Sequence, residues 1–246
     1  MCSGESSQER DYMKNNPKLE GSNIIDCIPQ VGDCPNGCAS CYYNAEGFFT
    51  DKKTPLIPSL EEVGDKIVRV NSGHDSNIQK ELVLESTKQY KKVFYSTSIP
   101  RFDFPGPVVF TVNGKHTDEA FLLTSNIKNI MMVRFRTNPW NLDLLKETID
   151  FYTIKRNIPT TITFMRYQKK EQIPEEHLDK FELKKNILNE YYVLNREHKH
   201  IIMMNNIIDH RVGTCGTLDS SFCKDCRRCE ELYERKIDMD FRLLCS

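Results

Sequence analysis

The 246-residue chain has no apolar run approaching the roughly eighteen residues that would be read as a membrane span, so no such span is expected. Residues 1–21 are polar and hold no apolar stretch of the kind a secretory signal needs, so they are expected to form a flexible leader. Neither sign of charge dominates. Thirty-four Lys and Arg oppose thirty-five Asp and Glu, for a net charge of −1, so no global basic field points to nucleic acid or an anionic membrane. Nucleic acid remains a conceivable partner through a local groove. Internal repeats and low-complexity tracts are missing, and at 28% charged and 39% hydrophobic the composition is that of a globular chain rather than a disordered one. Cysteine is missing from Tyr42 through Thr214, although the chain holds ten. They fall into two groups, at 2, 27, 34, 38 and 41 and at 215, 223, 226, 229 and 245. A disulfide scaffold spreads its cysteines through a short secreted chain. Two tight groups without a signal sequence instead predict metal sites in a reducing compartment, which for this chain means the cytoplasm.

Short β-branched runs alternate with helical patterns. Strands are predicted at Ile24–Pro29, Lys66–Val70, Val93–Thr97, Val108–Val112, Ile130–Thr137, Thr160–Tyr167 and His200–Asn205. Helices are predicted from Ser59, over Ile78–Tyr90, Asp118–Ser125 and Asn141–Lys155, and as a long charged helix over Pro174–Leu194. This alternation predicts βα units on a mostly parallel sheet. The fold class is therefore α/β, a partial (β/α) barrel of about six or seven parallel strands with a small cysteine-rich C-terminal extension. The domains follow as the leader 1–21, the barrel 22–210 and a metal-binding extension 211–246. In such folds catalytic loops gather at the C-terminal ends of the strands, and the first cysteine group directly follows the first predicted strand.

That group reads Cys34-x3-Cys38-x2-Cys41, with Gly32, Pro35 and Gly37 shaping the loop. Three thiolates within eight residues can converge on one centre. Three ligands leave one iron of a [4Fe–4S] cube without a protein ligand, and an open position is what separates catalytic from structural metal sites. A closed site with Cys27 as fourth ligand is the alternative, although Cys27 falls inside the first strand, where a buried thiol is the default.

Cys-x3-Cys-x2-Cys in the loop after a first strand resembles the signature of the radical S-adenosylmethionine (SAM) superfamily. The resemblance implies a [4Fe–4S] cluster whose open iron binds SAM. It further implies reductive cleavage of SAM to methionine and a 5′-deoxyadenosyl radical, and hydrogen abstraction from a substrate. It also implies an external electron donor of flavodoxin or ferredoxin type. Where the family has an aromatic residue before the third cysteine, this chain has Ser40, and Tyr42 and Tyr43 follow; Tyr42 is the aromatic candidate for cofactor contact. A second family landmark is a Gly-rich acidic turn after strand two that receives the SAM amino group. Its counterpart is Asn71–Asn77, so Ser72, Gly73 and Asp75 are candidate SAM contacts. Asp75 or Ser76 as helix N-cap before Ile78 is the alternative. Asn113, ending strand four, and Arg166, ending strand six, are further candidates for cofactor or substrate contact.

Cys215, Cys223, Cys226 and Cys229 form a complete ligand set. Their short spacing resembles ferredoxin-type runs, and many radical SAM enzymes carry an auxiliary cluster after the barrel. This implies a second [4Fe–4S] cluster, with a structural zinc as the alternative. Arg134 and Arg136 alternate on strand five and share a face, where they could hold a carboxylate or phosphate. The compact chain predicts a small-molecule or nucleotide-like substrate. Two other readings remain: a non-catalytic two-cluster iron–sulfur carrier or redox sensor, and a zinc-stabilised nucleic-acid-binding module.

Overall fold

The computed structural model describes residues 16–38, 41, 53–112, 127–185 and 190–244. Among them, seven strands form one all-parallel sheet in the order β1 (Ile24–Cys27), β2 (Ile67–Val70), β3 (Val93–Thr97), β4 (Val108–Val112), β5 (Ile130–Thr137), β6 (Thr160–Phe164) and β10 (Val212–Thr214). The sheet curls into a half-barrel. Buried on both faces, its strands read as nearly continuous apolar runs, as parallel strands do. A second, antiparallel sheet of β7 (Arg166–Tyr167), β8 (Phe181–Lys185) and β9 (Glu190–Leu194) stands beside it in the order β7-β9-β8. The described helices are α1 (Leu60–Val63), α2 (Lys80–Thr87), α3 (Leu142–Thr148, continued by a π-helical turn over Ile149–Ile154), α4 (Arg196–Asn206), α5 (Cys223–Cys226) and α6 (Arg228–Leu244). None of them is long and apolar enough to cross a membrane.

The period of two along each strand sorts side chains onto two faces. Outward residues Cys27, Val68, Val70, Tyr95, Phe110, Val133, Phe135 and Ile162 pack with Val63 of α1, Val83 of α2, Leu145 of α3 and Ile202 of α4 in the main core. Inward residues Ile24, Ile67, Phe94, Val109 and Met132 meet Cys229, Leu232 and Tyr233 of α6. The last helix thus fills the lower half of the concave face, each large apolar side chain contributing ~1.5–3 kcal/mol. The guanidinium of Arg228 fastens its start, donating to the backbone carbonyls of Thr160, His210 and Arg211 at the lower edge of β6 and β10.

Above this plug the inward positions become polar. Asp26 and Arg69 are register partners on β1 and β2 and form a buried bidentate pair, with Nε–Oδ1 at 2.6 Å and Nη2–Oδ2 at 3.1 Å. Ser72, in the turn after β2, donates to Asp26 Oδ2 at 3.1 Å. A charged pair in otherwise apolar strands is tolerated because each partner satisfies the other.

The first five predicted strands match to within two residues at each end. Three other elements differ. Thr160–Tyr167 is broken at Met165: β6 stays in the parallel sheet and Arg166–Tyr167 crosses to pair with β9. The long charged helix over Pro174–Leu194 is instead a 3-10 segment (Glu175–Lys180) followed by β8 and β9. Tyr192 pairs with Leu183 and Leu194 with Phe181, so the apolar residues repeat at two rather than at 3.6. His200–Asn205 is a helix, not the seventh strand. Asn195 caps α4 by accepting from the His198 backbone N–H, and Ile202 and Asn206, four apart, are its buried positions. The seventh strand is Val212–Thr214, three residues with no readable period. The predicted helix Asp118–Ser125 lies outside the described residues.

Replacing Asp26 by Ala strands a buried guanidinium. Urea unfolding of Asp26→Ala should show a loss of about 3 kcal/mol or more at fixed metal content. Lys88→Ala, which breaks the exposed pair with Glu85, should change stability by no more than about 0.5 kcal/mol.

Candidate metal centres

The first cysteine loop leaves the sheet at the upper end of β1 and is held there by side chains reaching across β2 and β3. Asp75, almost fully buried in the turn after β2, is the fastening point. Its Oδ2 accepts from Asn36 Nδ2 (3.0 Å), the Ser98 backbone N–H (2.7 Å) and Ser98 Oγ (3.0 Å). Its Oδ1 accepts from Thr97 Oγ1 (2.8 Å) and the Asn77 backbone N–H (3.0 Å). Asn36 stands between Cys34 and Cys38, so this carboxylate ties the cysteine loop to the ends of β2 and β3. Gln30 adds a second tie, donating to the carbonyls of Asp75 (3.1 Å) and Ile78 (2.8 Å). Gly37 turns the loop at φ +54°, a left-handed conformation that glycine adopts without strain.

Cys34, Cys38 and Cys41 are all half-buried. Burial raises the Cys34 thiol above its ordinary value, the Asn36 backbone N–H donating to its sulfur lowers it, and charge on Asp75, Cys38 and Cys41 raises it again. Charge on Cys38 and Cys41 thus acts on Cys34, so the three cysteines share one neighbourhood. Cys27 is elsewhere. Fully buried on the outward face of β1, it packs in the helix-side core beside Tyr90, and burial pushes its thiol up to about 12. Alternation along β1 turns it away from the concave face that Asp26 occupies.

The second set lies inside the half-barrel. The Cys215 backbone N–H donates to the Ile162 carbonyl at 2.8 Å, extending the β10–β6 pairing. At the next residue a Cβ would stand 2.7 Å from the Ser220 carbonyl, so only glycine fits at Gly216, where φ is +86°. Cys223 and Cys226 bound α5, and Cys229 is in the first turn of α6. All four cysteines line one small cavity together with Arg69 and Arg228. Burial pushes the Cys223 thiol up to about 12, opposed by the Arg69 guanidinium. Burial also raises Cys229, opposed by Arg134 and Arg69. Four thiols around a common space, with guanidinium groups that favour the ionised form of Cys223 and Cys229, are a donor set that suits a thiolate-ligated metal centre, either iron–sulfur or zinc. Among the described residues, no group of three or more His, Cys, Asp or Glu side chains is already drawn together as ligands of a single ion.

Beside the second set opens a cavity of about 390 Å³ bounded by β5, β6, β9 and α4. Cys215 and Cys223 form part of its wall. Among the described lining residues seven are cationic, Lys18, Arg69, Arg134, Arg166, Lys184, Arg196 and Lys199, and two are acidic, Glu182 and Asp219. Phe164, Met165, Tyr191 and Val193 supply an apolar side. Burial holds Lys199 below the ordinary lysine value, helped by the neighbouring charge of Arg166.

The structure brings the candidate residues together unevenly. Ser72 is engaged with Asp26 and Asp75 accepts five hydrogen bonds, so both brace the loops around the first cysteines; Gly73 lies between them, half-buried. Neither Asp75 nor Ser76 caps α2, which starts from Gln79 in a left-handed conformation without a side-chain cap. Arg166 borders the cationic cavity, its guanidinium 5.4 Å from the Tyr191 ring centre. Arg134 reaches the cavity from the concave face, whereas Arg136, two residues further along β5, does not line it. Tyr42 and Asn113 lie outside the described residues. Asn36, Ser98, Arg69 and Lys199 were not singled out from the sequence. Only Arg69 left a signal, as a charge inside the apolar run Ile67–Val70 matching Asp26 in β1. No family model, curated protein or solved structure matches the chain.

If Cys27 is a core residue and not a ligand, Cys27→Ala should keep the iron content of anaerobically prepared protein and lose only about 1 kcal/mol of stability. Cys34→Ala should lose the iron of the first centre. Equal iron loss in both variants would make Cys27 a ligand.

Proposed function

We propose that this chain is a radical SAM enzyme of a reducing compartment such as the cytoplasm. In this reading Cys34, Cys38 and Cys41 hold a [4Fe–4S] cluster, and Cys215, Cys223, Cys226 and Cys229 hold a second [4Fe–4S] cluster or a zinc ion. The observation that carries the reading is the placement of three half-buried cysteines in the loop after the first strand of a parallel half-barrel, with Cys27 turned into the opposite core. When bound, a three-thiolate cluster offers an open iron to the amino and carboxylate groups of SAM and supplies the electron that cleaves it to methionine and a 5′-deoxyadenosyl radical, which takes hydrogen from the substrate.

The chain's own residues do the positioning. Asp75, Asn36 and Gln30 fix the start of the cysteine loop against the ends of β2 and β3, where the three thiols would hold the cluster. Ser72 and Gly73, in the turn after β2, are candidate contacts for the SAM amino group, and Tyr42, Asn113 and Arg166 are candidate contacts for the adenosyl part or the substrate. The half-barrel shelters a radical from water on the sheet side. An external donor of flavodoxin or ferredoxin type supplies the electron, and the substrate is a small or nucleotide-like molecule.

A two-cluster electron carrier shares the cysteines but has no use for an open iron or for a 390 Å³ cavity beside the second set. A zinc-stabilised nucleic-acid module needs an exposed basic face, whereas the cations gathered here line a concavity.

Anaerobically reconstituted protein, reduced with dithionite and given SAM, should release 5′-deoxyadenosine, measured by chromatography. Cys34→Ala, Cys38→Ala and Cys41→Ala should each lower that release by about 100-fold or more. A reduced, iron-loaded protein that leaves SAM intact would contradict the reading.

A further inference from the structure

We propose that Lys199 is a nucleophilic amine that captures a small aldehyde or ketone as an imine in the cavity beside the second cysteine set. The inference goes beyond the radical reading and does not rest on it, since imine formation needs neither iron nor SAM.

The local structure fixes the amine at the cavity wall. Asn195 caps α4 by accepting from the His198 backbone N–H, and the Lys199 backbone N–H donates to the Asn195 carbonyl at 3.1 Å. Lys199 therefore stands in the first turn of the helix. Ile202, three residues on, is buried in the main core and holds that turn against the sheet. Lys199 is half-buried and borders the cavity of about 390 Å³, where Phe164, Met165 and Val193 give an apolar side. Among the described residues it makes no ion pair. The two acidic groups of the wall are engaged elsewhere, Glu182 with Lys184 at 2.9 Å and Asp219 with Arg196 at 2.9 Å.

The surroundings favour the neutral amine. Burial loosens its hold on a proton most, the Arg166 guanidinium adds to that, Glu182 opposes it and Lys184 adds again. The N-terminal end of α4, with its partial positive charge, works in the same direction as burial. A lysine attacks a carbonyl only as the neutral amine, and desolvation beside another cation is how proteins obtain one near neutral pH. The nitrogen lone pair forms a bond to the carbonyl carbon. The carbonyl oxygen then leaves as water with both amine hydrogens, and no oxidant or reductant is consumed. Apolar wall residues restrict water around the product and so slow its hydrolysis.

The test is reductive trapping on the anaerobically prepared full chain. The protein is held near neutral pH with butanal or benzaldehyde and sodium cyanoborohydride, which reduces an imine to a stable secondary amine, and each modified lysine is located by peptide mass spectrometry. Lys199 should be trapped about fivefold or more faster than Lys91, an exposed lysine before β3. Its rate should level off with rising aldehyde, as binding in a cavity requires, while that of Lys91 rises in proportion. Arg166→Gln should slow trapping at Lys199 by about threefold or more and leave Lys91 unchanged, a dependence that a merely accessible lysine does not show. Lys199→Arg, which keeps the positive charge, should remove the fast saturable phase. The proposal is overturned if Lys199 reacts no faster than Lys91, if its rate fails to level off, or if Arg166→Gln with native circular dichroism leaves it unchanged. Release of 5′-deoxyadenosine from the same preparation, measured without aldehyde, reports separately on the radical reading: trapping without SAM cleavage would leave the amine site and remove the radical chemistry, and the converse would leave the radical chemistry and remove the site.

Discussion

The carboxylate of Asp75 is the constraint from which the upper face of the half-barrel takes its geometry. It is buried at the turn after β2 and accepts five hydrogen bonds from three directions: the cysteine loop through Asn36, the end of β3 through Thr97 and Ser98, and its own turn through Asn77. A buried carboxylate is costly unless its acceptor sites are filled, so the network holds as a unit. Irregular backbone between Ile28 and Cys38 thereby gains a fixed position beside the sheet. The loop needs such an anchor because its own backbone makes few ladder bonds.

Below that rim the concave interior is layered. Apolar residues of β1 to β5 close against Leu232 and Tyr233 of α6, the Asp26–Arg69 pair crosses the middle, and the second cysteine set lies against Arg69 and Arg134. The last helix therefore carries two tasks. It completes a core that a half-barrel leaves open, and it brings Cys229 to the other three cysteines. Arg69 links the layers: its guanidinium pairs with Asp26, which accepts from Ser72 in the β2 turn, while its charge lowers the cost of ionising Cys223 and Cys229. The polar residues beside the second cysteine set are thus connected to the turn after β2, which also carries Asp75.

Much of this was legible in the amino-acid sequence where a single element decides its own shape. Val93–Thr97 and Ile130–Thr137 are strands at the bounds their β-branched and apolar runs suggest, and the parallel half-barrel follows from their alternation with helices. The failures fall where tertiary context chose between two periods. Phe181–Leu194 is charged enough to look like a solvated helix, yet its apolar residues alternate and pair across a hairpin. His200–Asn205 is apolar enough to look like a strand, yet an Asn cap at 195 and burial at every fourth residue make it helical. That reversal had a functional cost: with α4 read as a strand, Lys199 had no place beside Arg166. The cysteine groups stood out because thiols in tight spacing have few other uses. The bracing role of Asp75 did not, because its partners Asn36, Thr97 and Ser98 are unremarkable polar residues until the chain folds.

In the proposed reading Cys34, Cys38 and Cys41 would hold a cluster with one iron open to SAM. Electron paramagnetic resonance of the dithionite-reduced protein, recorded before and after addition of SAM, tests it most directly. A cluster signal that shifts when SAM is added is expected, and this SAM-sensitive signal should be missing from Cys38→Ala, whatever signal a second cluster contributes. A spectrum that SAM leaves unchanged in fully iron-loaded protein would contradict it.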